Sequence, residues 1–302
     1  MATKTLDLPT LIERFGSEEK CRAYLEDLRW PQGVECPRCA NRSISRIEKR
    51  RQYECNEESC RYQFSVTAGT VFHDSHLPLW KWFLGIYMIA ESKKGISAKQ
   101  LERTLGVSYK TAWYLSHRIR SAMEEESPVP LRGIVEVDET FVGGRVTDRG
   151  QGPWANKVMV LGAVERGGNI RLRATGKGVT PNRENLHGFI GAVTAPDTEA
   201  IYTDQQRGYR GIEDEDTRHE VVNHRREEWV RADVHTNTVE GVWSLLKRSI
   251  VGSYHQLSAK HLPAYLDEVA FKFNNRDNPY LFRDTLLRMI QGDTLPYEEL
   301  TT

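Results

Sequence analysis

The stretch "IVEVDETFVGG", residues 134–144, decides how the second half of this chain folds. It is short, rich in β-branched and aromatic residues and closed by two glycines, so it reads as a strand. Asp138 stands within or at the end of that apolar run, where a charge is normally unwelcome. Either it is a strand-end turn residue or it is held there for chemistry. By strand alternation Glu136 shares the face of Asp138 and Glu139 points the other way, which leaves Glu136 as the local rival ligand.

The pattern repeats downstream. In "AIYTDQQRGY", residues 200–209, Asp204 ends a second apolar strand. In "HTNTVEGVWSLLKRSIVG", residues 235–252, Val239, Val242, Trp243, Leu246 and Ile250 recur at three- and four-residue steps, the mark of an amphipathic helix. Asn237, Glu240, Ser244 and Lys247 form a second, polar stripe. Glu240 and Lys247 point the same way two turns apart, too far for a helical ion pair. Either the stripe is simply solvated, or both residues face something outside the helix.

Two strand-borne aspartates and a helix-borne acid are the donor set of a two-ion phosphoryl-transfer site. Hard Mg²⁺ or Mn²⁺ ions take oxygen ligands. One ion activates the attacking oxygen and the other stabilises the leaving oxygen. On this reading Asp138, Asp204 and Glu240 are the catalytic residues and the metal ligands. Lys247, with Arg248 beside it, meets a DNA phosphate as a point charge. Asn237, one turn before Glu240, is a second candidate for the third ligand. His235 and Asn237 otherwise cap the helix or touch DNA.

Around these motifs the chain alternates strands and helices. Strands are expected in "KVMVLGAVERGG" and "NIRLRATGKG", a helix in "NRENLHGFIGAV", a strand at "HEVVNH" and a last helix in "AKHLPAYLDEVAFKFNN". Pro128 and Pro130 mark the break before this part. The pattern predicts an α/β domain with a mixed sheet over residues 128–302.

The first part differs in composition. "CPRC" supplies Cys36 and Cys39, and "CNEESC" supplies Cys55 and Cys60. Two close pairs across a hairpin-length segment are the zinc-ribbon layout, four thiolates around one structural Zn²⁺; the other reading is four buried, unligated thiols. The first pair has a two-residue spacer and the second a four-residue one. Ser17 is a plausible cap for a helix ahead of the ribbon, on which Cys21 is a small core residue rather than a fifth ligand. Residues 1–67 therefore form a helix plus ribbon, and residues 68–127 are helical.

Within that helical region "ISAKQLERTLGVSYKTAWYLSHRIRSAM" has the shape of a helix-turn-helix. Ser97 caps the first helix, Gly106 turns, and Ser108 caps the second. Tyr109, Lys110, Thr111, Tyr114, Arg118 and Arg120 lie on the second helix, where base edges and phosphates would be met. An ordinary helical hairpin is the alternative.

The totals set bounds. The chain has 302 residues, 39% of them hydrophobic, and 42 basic against 42 acidic side chains. That length fits two or three units with real cores, and the zero net charge argues against a purely electrostatic nucleic-acid coat. No stretch approaches the length of a membrane span and the start has no apolar signal core, so a soluble, cytoplasmic protein without a membrane partner is expected.

Taken together, the sequence resembles bacterial insertion-sequence transposases of the DDE type, in the group related to eukaryotic Merlin elements. The resemblance runs from "FGSEEKCRAYLEDLRWPQGVECPRC" through "FSVTAGTVFHDSHLPLWKWFLGIYMI" to "VDETFVGG", "IYTDQQRGY", "HTNTVEGVWSLLKR" and "FKFNNR". It implies an RNase H-like catalytic domain behind a zinc ribbon. Asp138, Asp204 and Glu240 match the family triad, with Lys247 as its trailing basic residue. Members differ in whether Asn or Glu is the third residue, so Asn237 keeps a claim. The implied chemistry is cleavage of a 3′ phosphodiester at an element end, then attack of the freed 3′-OH on target DNA. The implied partners are double-stranded DNA at the nucleoid and further copies of the chain on that DNA. Two other classes compete: a non-catalytic DNA-binding regulator, and a structure-specific nuclease on the same fold.

Overall fold

A computed structural model describes residues 6–144, 154–222, 231 and 233–302. The chain forms two compact units: residues up to 123 together with 277–302, and residues 124–276.

In the first unit, helices α1 (Leu8–Phe15) and α2 (Glu18–Arg29) lead into a three-stranded antiparallel ribbon. Its strands are β1 (Ile44–Ile47), β2 (Gln52–Cys55) and β3 (Gln63–Phe64). Ser17 accepts from the Lys20 amide and caps α2, and Cys21 lies buried on that helix with its thiol donating to the Phe15 carbonyl. Helices α3 (Leu79–Glu91), α4 (Ala98–Leu105) and α5 (Tyr109–Ser121) follow. Ser97 and Ser108 cap α4 and α5, and Gly106 between them is left-handed at φ 58°, a conformation glycine adopts without the clash of a Cβ.

The ribbon has little core of its own: Trp30, Tyr53 and Phe64 pack their rings against one another within 6 Å. The helical core is likewise aromatic, Phe15 and Phe83 meeting Phe282. Phe282 belongs to α9 (Leu281–Gln291), and α10 (Tyr297–Thr301) follows it. The sequence placed residues 128–302 in one domain. The structure packs those last two helices in the first unit, because the apolar face of α9 is complementary to α2 and α3.

The second unit is built on β4 (Ile134–Gly143), β5 (Lys157–Glu165), β6 (Ile170–Lys177), β7 (Ala200–Thr203) and β8 (Arg218–Val221). Their order in the sheet is β6-β5-β4-β7-β8. The β6-β5-β4 part is antiparallel, and β7 and β8 run parallel to β4. This mixed sheet, with α6 (Arg183–Val193) as the crossover into β7, is the expected RNase H-like arrangement. The strand expected at residues 219–224 is described as far as β8 and Val222; positions 223 and 224 lie outside the described residues.

Both faces are covered, which explains why β5 reads as an unbroken apolar run. On one face Val135, Val137, Met159 and Leu161 pack against Leu186, Phe189 and Ile190 of α6. On the other, Val158, Val160 and Val164 meet helix α7 (Asn237–Ser249) and helix α8 (Leu262–Asn274). Val239, Val242, Trp243 and Leu246 form the buried face of α7, as the spacing predicted.

Candidate active site and metal centres

Since Val135 and Val137 face α6, strand alternation turns Glu136 and Asp138 toward α7. Asp138 sits beside the end of β7, which stops at Thr203, and Asp204 follows at once. The parallel register Glu136↔Tyr202 puts position 204 level with position 138. Beyond that point β4 continues with β5 as its partner, leaving a notch at the end of β7. In the notch, oxygens of Asp138, Glu139 and Asp204 lie within 4.8 Å of one another.

Glu139 is the ligand candidate that sequence reasoning missed. It does start from the opposite face, where Tyr209 donates a 2.6 Å hydrogen bond to it. The longer glutamate side chain at the open strand end still brings its carboxylate to the aspartates. Three acids this close repel one another. Burial first, then Glu139 and Asp204, raise Asp138 to about 8, and burial chiefly raises Glu139 as well. A set of converging half-buried carboxylate oxygens is suited to a hard divalent cation, which relieves that repulsion.

Glu136, the expected rival, is committed elsewhere. Fully buried, it accepts from the amides of Thr238 and Val239 and from the Thr238 hydroxyl, and pairs with Arg166 at 2.9 Å. It is therefore the cap of α7, supplied by the sheet. The N-cap position itself is Thr236, whose side chain makes no capping bond, so neither His235 nor Asn237 has the capping role. His235 Nδ1 stands 3.2 Å from Glu136 and Asn237 is exposed at the first turn. Two residues along β4, Asp138 accepts a 2.8 Å hydrogen bond from Trp243 Nε1. The helix is thus pinned to β4 at both its first turn and its middle.

Glu240 lies between the two pins, half-buried, and its carboxylate accepts from the Thr236 hydroxyl at 2.9 Å. Among the described residues it is not part of the converging set of Asp138, Glu139 and Asp204. Lys247 and Arg248 are exposed two turns further on.

In the ribbon, all four cysteines converge within 4.8 Å. Cys36 and Cys60 sulfurs are 3.7 Å apart, and Cys39 and Cys55 sulfurs 3.5 Å. Tetrahedral Zn–S bonds of about 2.3 Å place sulfurs about 3.8 Å apart, so the four thiols fit zinc. The unequal spacers resolve into two similar turns. Each ends on a left-handed residue, Ala40 at φ 57° and Arg61 at φ 43°, whose amide reaches back to Cys36 or Glu57. Burial pushes the Cys36 thiol up, but amides of Arg38 and Cys39 and the neighbouring sulfurs outweigh it and bring it down to about 7.

The helix pair departs from expectation on α5. Arg118 is 3% exposed, lies over the rings of Trp82 and Tyr114, and donates to the His73 carbonyl. Arg120 is buried too and donates to Ser116. Both are structural in this fold, because the C-terminal half of α5, from Leu115 to Arg120, is buried on every side. Tyr114 donates to the Leu295 carbonyl, and Lys110 lies 4.2 Å from the Tyr297 ring. Lys110, Thr111, Tyr114 and Tyr297 help to line a cavity of about 370 Å³. Tyr109 and Lys110 are exposed, and Thr111 and Tyr114 are half-buried.

Comparison with known proteins places these features. Residues 130–274 match the ISXO2-like transposase domain, and residues 16–63 match the transposase zinc-ribbon domain. The chain is 32% identical over 274 residues to an uncharacterised protein in transposable element ISH50 of Halobacterium salinarum, covering 84% of this chain and 90% of that one. Among solved structures, a pre-cleavage Mos1 transpososome is similar at 12% identity and a TM-score of 0.30, over 68% of this chain and 77% of that one. The Mos1 strand transfer complex is similar at 14% identity and a TM-score of 0.32, over 69% and 75%. Likenesses that distant carry no argument about the site. No described helix is long and apolar enough to cross a membrane.

Proposed function

This chain belongs to the ISXO2-like transposase family, a DDE-type transposase domain behind a zinc ribbon, and from that premise we propose that it binds the ends of an insertion sequence, cleaves the 3′ phosphodiester there and transfers the freed strand into target DNA. The observation that carries the reading is the convergence of Asp138, Glu139 and Asp204 in the notch at the end of β7. Asp138 and Asp204, with Glu240 from α7, would hold two divalent ions, Mg²⁺ or Mn²⁺, and Glu139 adds a carboxylate to that set. Bound there, such ions supply Lewis-acid stabilisation of the attacking and leaving oxygens.

The chain's own residues supply the rest. Glu136 and Trp243 fix α7 over the sheet, and so fix where Glu240 approaches. Lys247 and Arg248, exposed on α7, would meet the phosphate backbone, with Asn237 and His235 near the start of that helix as further contacts. Tyr109, Lys110, Thr111 and Tyr114 on α5 serve end recognition; Arg118 does not, since it is buried. In the first step water forms the new P–O bond and the 3′ oxygen leaves with a proton. In the second, that 3′-OH attacks a target phosphodiester and a target 3′ oxygen leaves. The zinc ribbon holds its own module together. Paired ends call for more than one copy of the chain.

The test is a cleavage and strand-transfer assay on labelled element ends with Mg²⁺ or Mn²⁺. Nicking at the 3′ ends is expected from the wild type and from Asn237→Ala, and none from Asp138→Asn, Asp204→Asn or Glu240→Gln. Activity surviving in Glu240→Gln but lost in Glu139→Gln or Asn237→Ala would move the third ligand to that residue. Wild type that binds the ends and never cuts with either metal overturns the catalytic reading in favour of a DNA-binding regulator.

A further inference from the structure

Trp243 carries more than core packing. Its indole is buried, 4% exposed, on the face of α7 that meets the sheet. Directly beneath it is Gly162, the register partner of Asp138 on β5. A Cβ on Gly162 would lie 2.5 Å from Cη2 and 2.7 Å from Cζ2 of the indole. Glycine inside a strand weakens it and marks a close approach. Here the approaching group is the Cζ2–Cη2 edge of the ring, and the same ring's Nε1 reaches Asp138 Oδ2 at 2.8 Å.

A ring that needed burial alone would not need this arrangement. An apolar ring would be buried there with no polar atom to satisfy. Asp138 is also an awkward acceptor for a merely structural bond, since it stands among Glu139 and Asp204. The N–H does two things for that carboxylate. It occupies one oxygen as a fixed donor, and it fixes the torsion that places both oxygens. We infer that Trp243 is a positioning residue: through the gap left by Gly162, its indole N–H sets the Asp138 carboxylate for divalent-cation binding. This inference rests on the reading of the acid cluster as the cation site.

Mn²⁺ titration of the zinc-loaded full chain, followed by electron paramagnetic resonance, tests it without any DNA reaction. Trp243→Phe keeps an aromatic ring on the buried face of α7 and removes the donor, and is expected to weaken Mn²⁺ binding by about 10-fold or more. Gly162→Ala keeps the indole but lifts it from the strand, and is expected to show the same loss. Val242→Ala truncates the adjacent buried residue of α7 and is expected to lower the melting temperature while leaving Mn²⁺ affinity unchanged. Should Trp243→Phe fail to fold, the wild type still answers: of its seven tryptophan indole N–H resonances, one is expected to shift when Mg²⁺ is added. Wild-type affinity in a folded Trp243→Phe, or no indole shift with saturating Mg²⁺, overturns the positioning role and leaves the cation site standing. A wild type that binds no Mn²⁺ sensitive to Asp204→Asn overturns the cation site itself, and this inference with it.

Discussion

The four thiols of the ribbon and the three acids of the notch are both tight clusters of ligand atoms, but they are assembled in opposite ways. The cysteines lie within one short segment, on two turns that their own neighbours close. The acids come from β4 and from the end of β7, strands that become neighbours only through the α6 crossover. The thiol cluster stands in for a core that a small module lacks. The acid cluster is held against its own repulsion by a core already built, with α7 pinned above it. A ligand set that makes its fold is expected to fail with the fold; one that is imposed on a fold is expected to fail alone.

Removing zinc breaks the comparison open most strongly. Structural zinc supplies on the order of 10 kcal/mol to modules of this kind. Chelation, or Cys55→Ser, is therefore expected to abolish amide-exchange protection in β1–β3 while β4–β8 keep theirs. Hydrogen exchange by mass spectrometry reads both units at once, and equal loss in the two would show that they are not independent.

The next effect lies under the acid cluster. Glu136→Gln takes the anion from half-buried Arg166 and weakens the cap of α7, and is expected to cost about 3 kcal/mol in unfolding of the second unit. Denaturant titration checks it. A loss well below 1 kcal/mol would mean that α7 is held by its apolar face alone.

A third effect distinguishes the acids from the thiols by pH. Asp138 titrates at about 8 in the folded chain, far above a free aspartate, so the folded state holds its proton longer than the unfolded one. The associated stability is fully present below about pH 4 and is lost as pH rises through about 8. Without divalent ions the melting temperature of the second unit is expected to fall between those values. Saturating Mg²⁺, or Asp138→Asn, is expected to flatten the decline. Melts at pH 5 and pH 8 with and without Mg²⁺ decide it, and a melting temperature that rises over that window contradicts the assignment.

The smallest stability effect belongs to the exposed stripe. Lys247→Ala is expected to leave stability within about 0.5 kcal/mol of wild type. It should reduce the slope of log binding against log salt on element-end DNA by about 0.9. Arg118→Ala should do the reverse, lowering the melting temperature with the salt slope unchanged, because its guanidinium is inside the fold.

Particular residues show how far the sequence could be read. The strand at 134–143, the caps at Ser17, Ser97 and Ser108, and the buried face of α7 were all legible, since each depends on periodicity or on a side chain within one turn. The cysteine set was legible for the same reason. Alternation holds along β4 as well, yet by itself it leaves Glu136 as the rival ligand to Asp138 and sets Glu139 aside. Nothing in the local sequence says that the end of β7 lies level with Asp138, which opens the notch there, or that the N-terminus of α7 lands on Glu136.

What the sequence by itself determined, then, is everything carried by spacing along the chain: two apolar strands each with an aspartate within or at its end, an amphipathic helix with a polar stripe, and a four-thiol module. Only the tertiary structure decided which carboxylate meets which partner. Glu136 became a cap, Glu139 joined the aspartates, Arg118 went inside, and Trp243 came to rest on Gly162 with its N–H on Asp138. The physical reason is range. Helix and turn preferences act over three or four residues, whereas the charge and hydrogen-bond partners of a buried side chain are set by strands and helices that are distant in sequence.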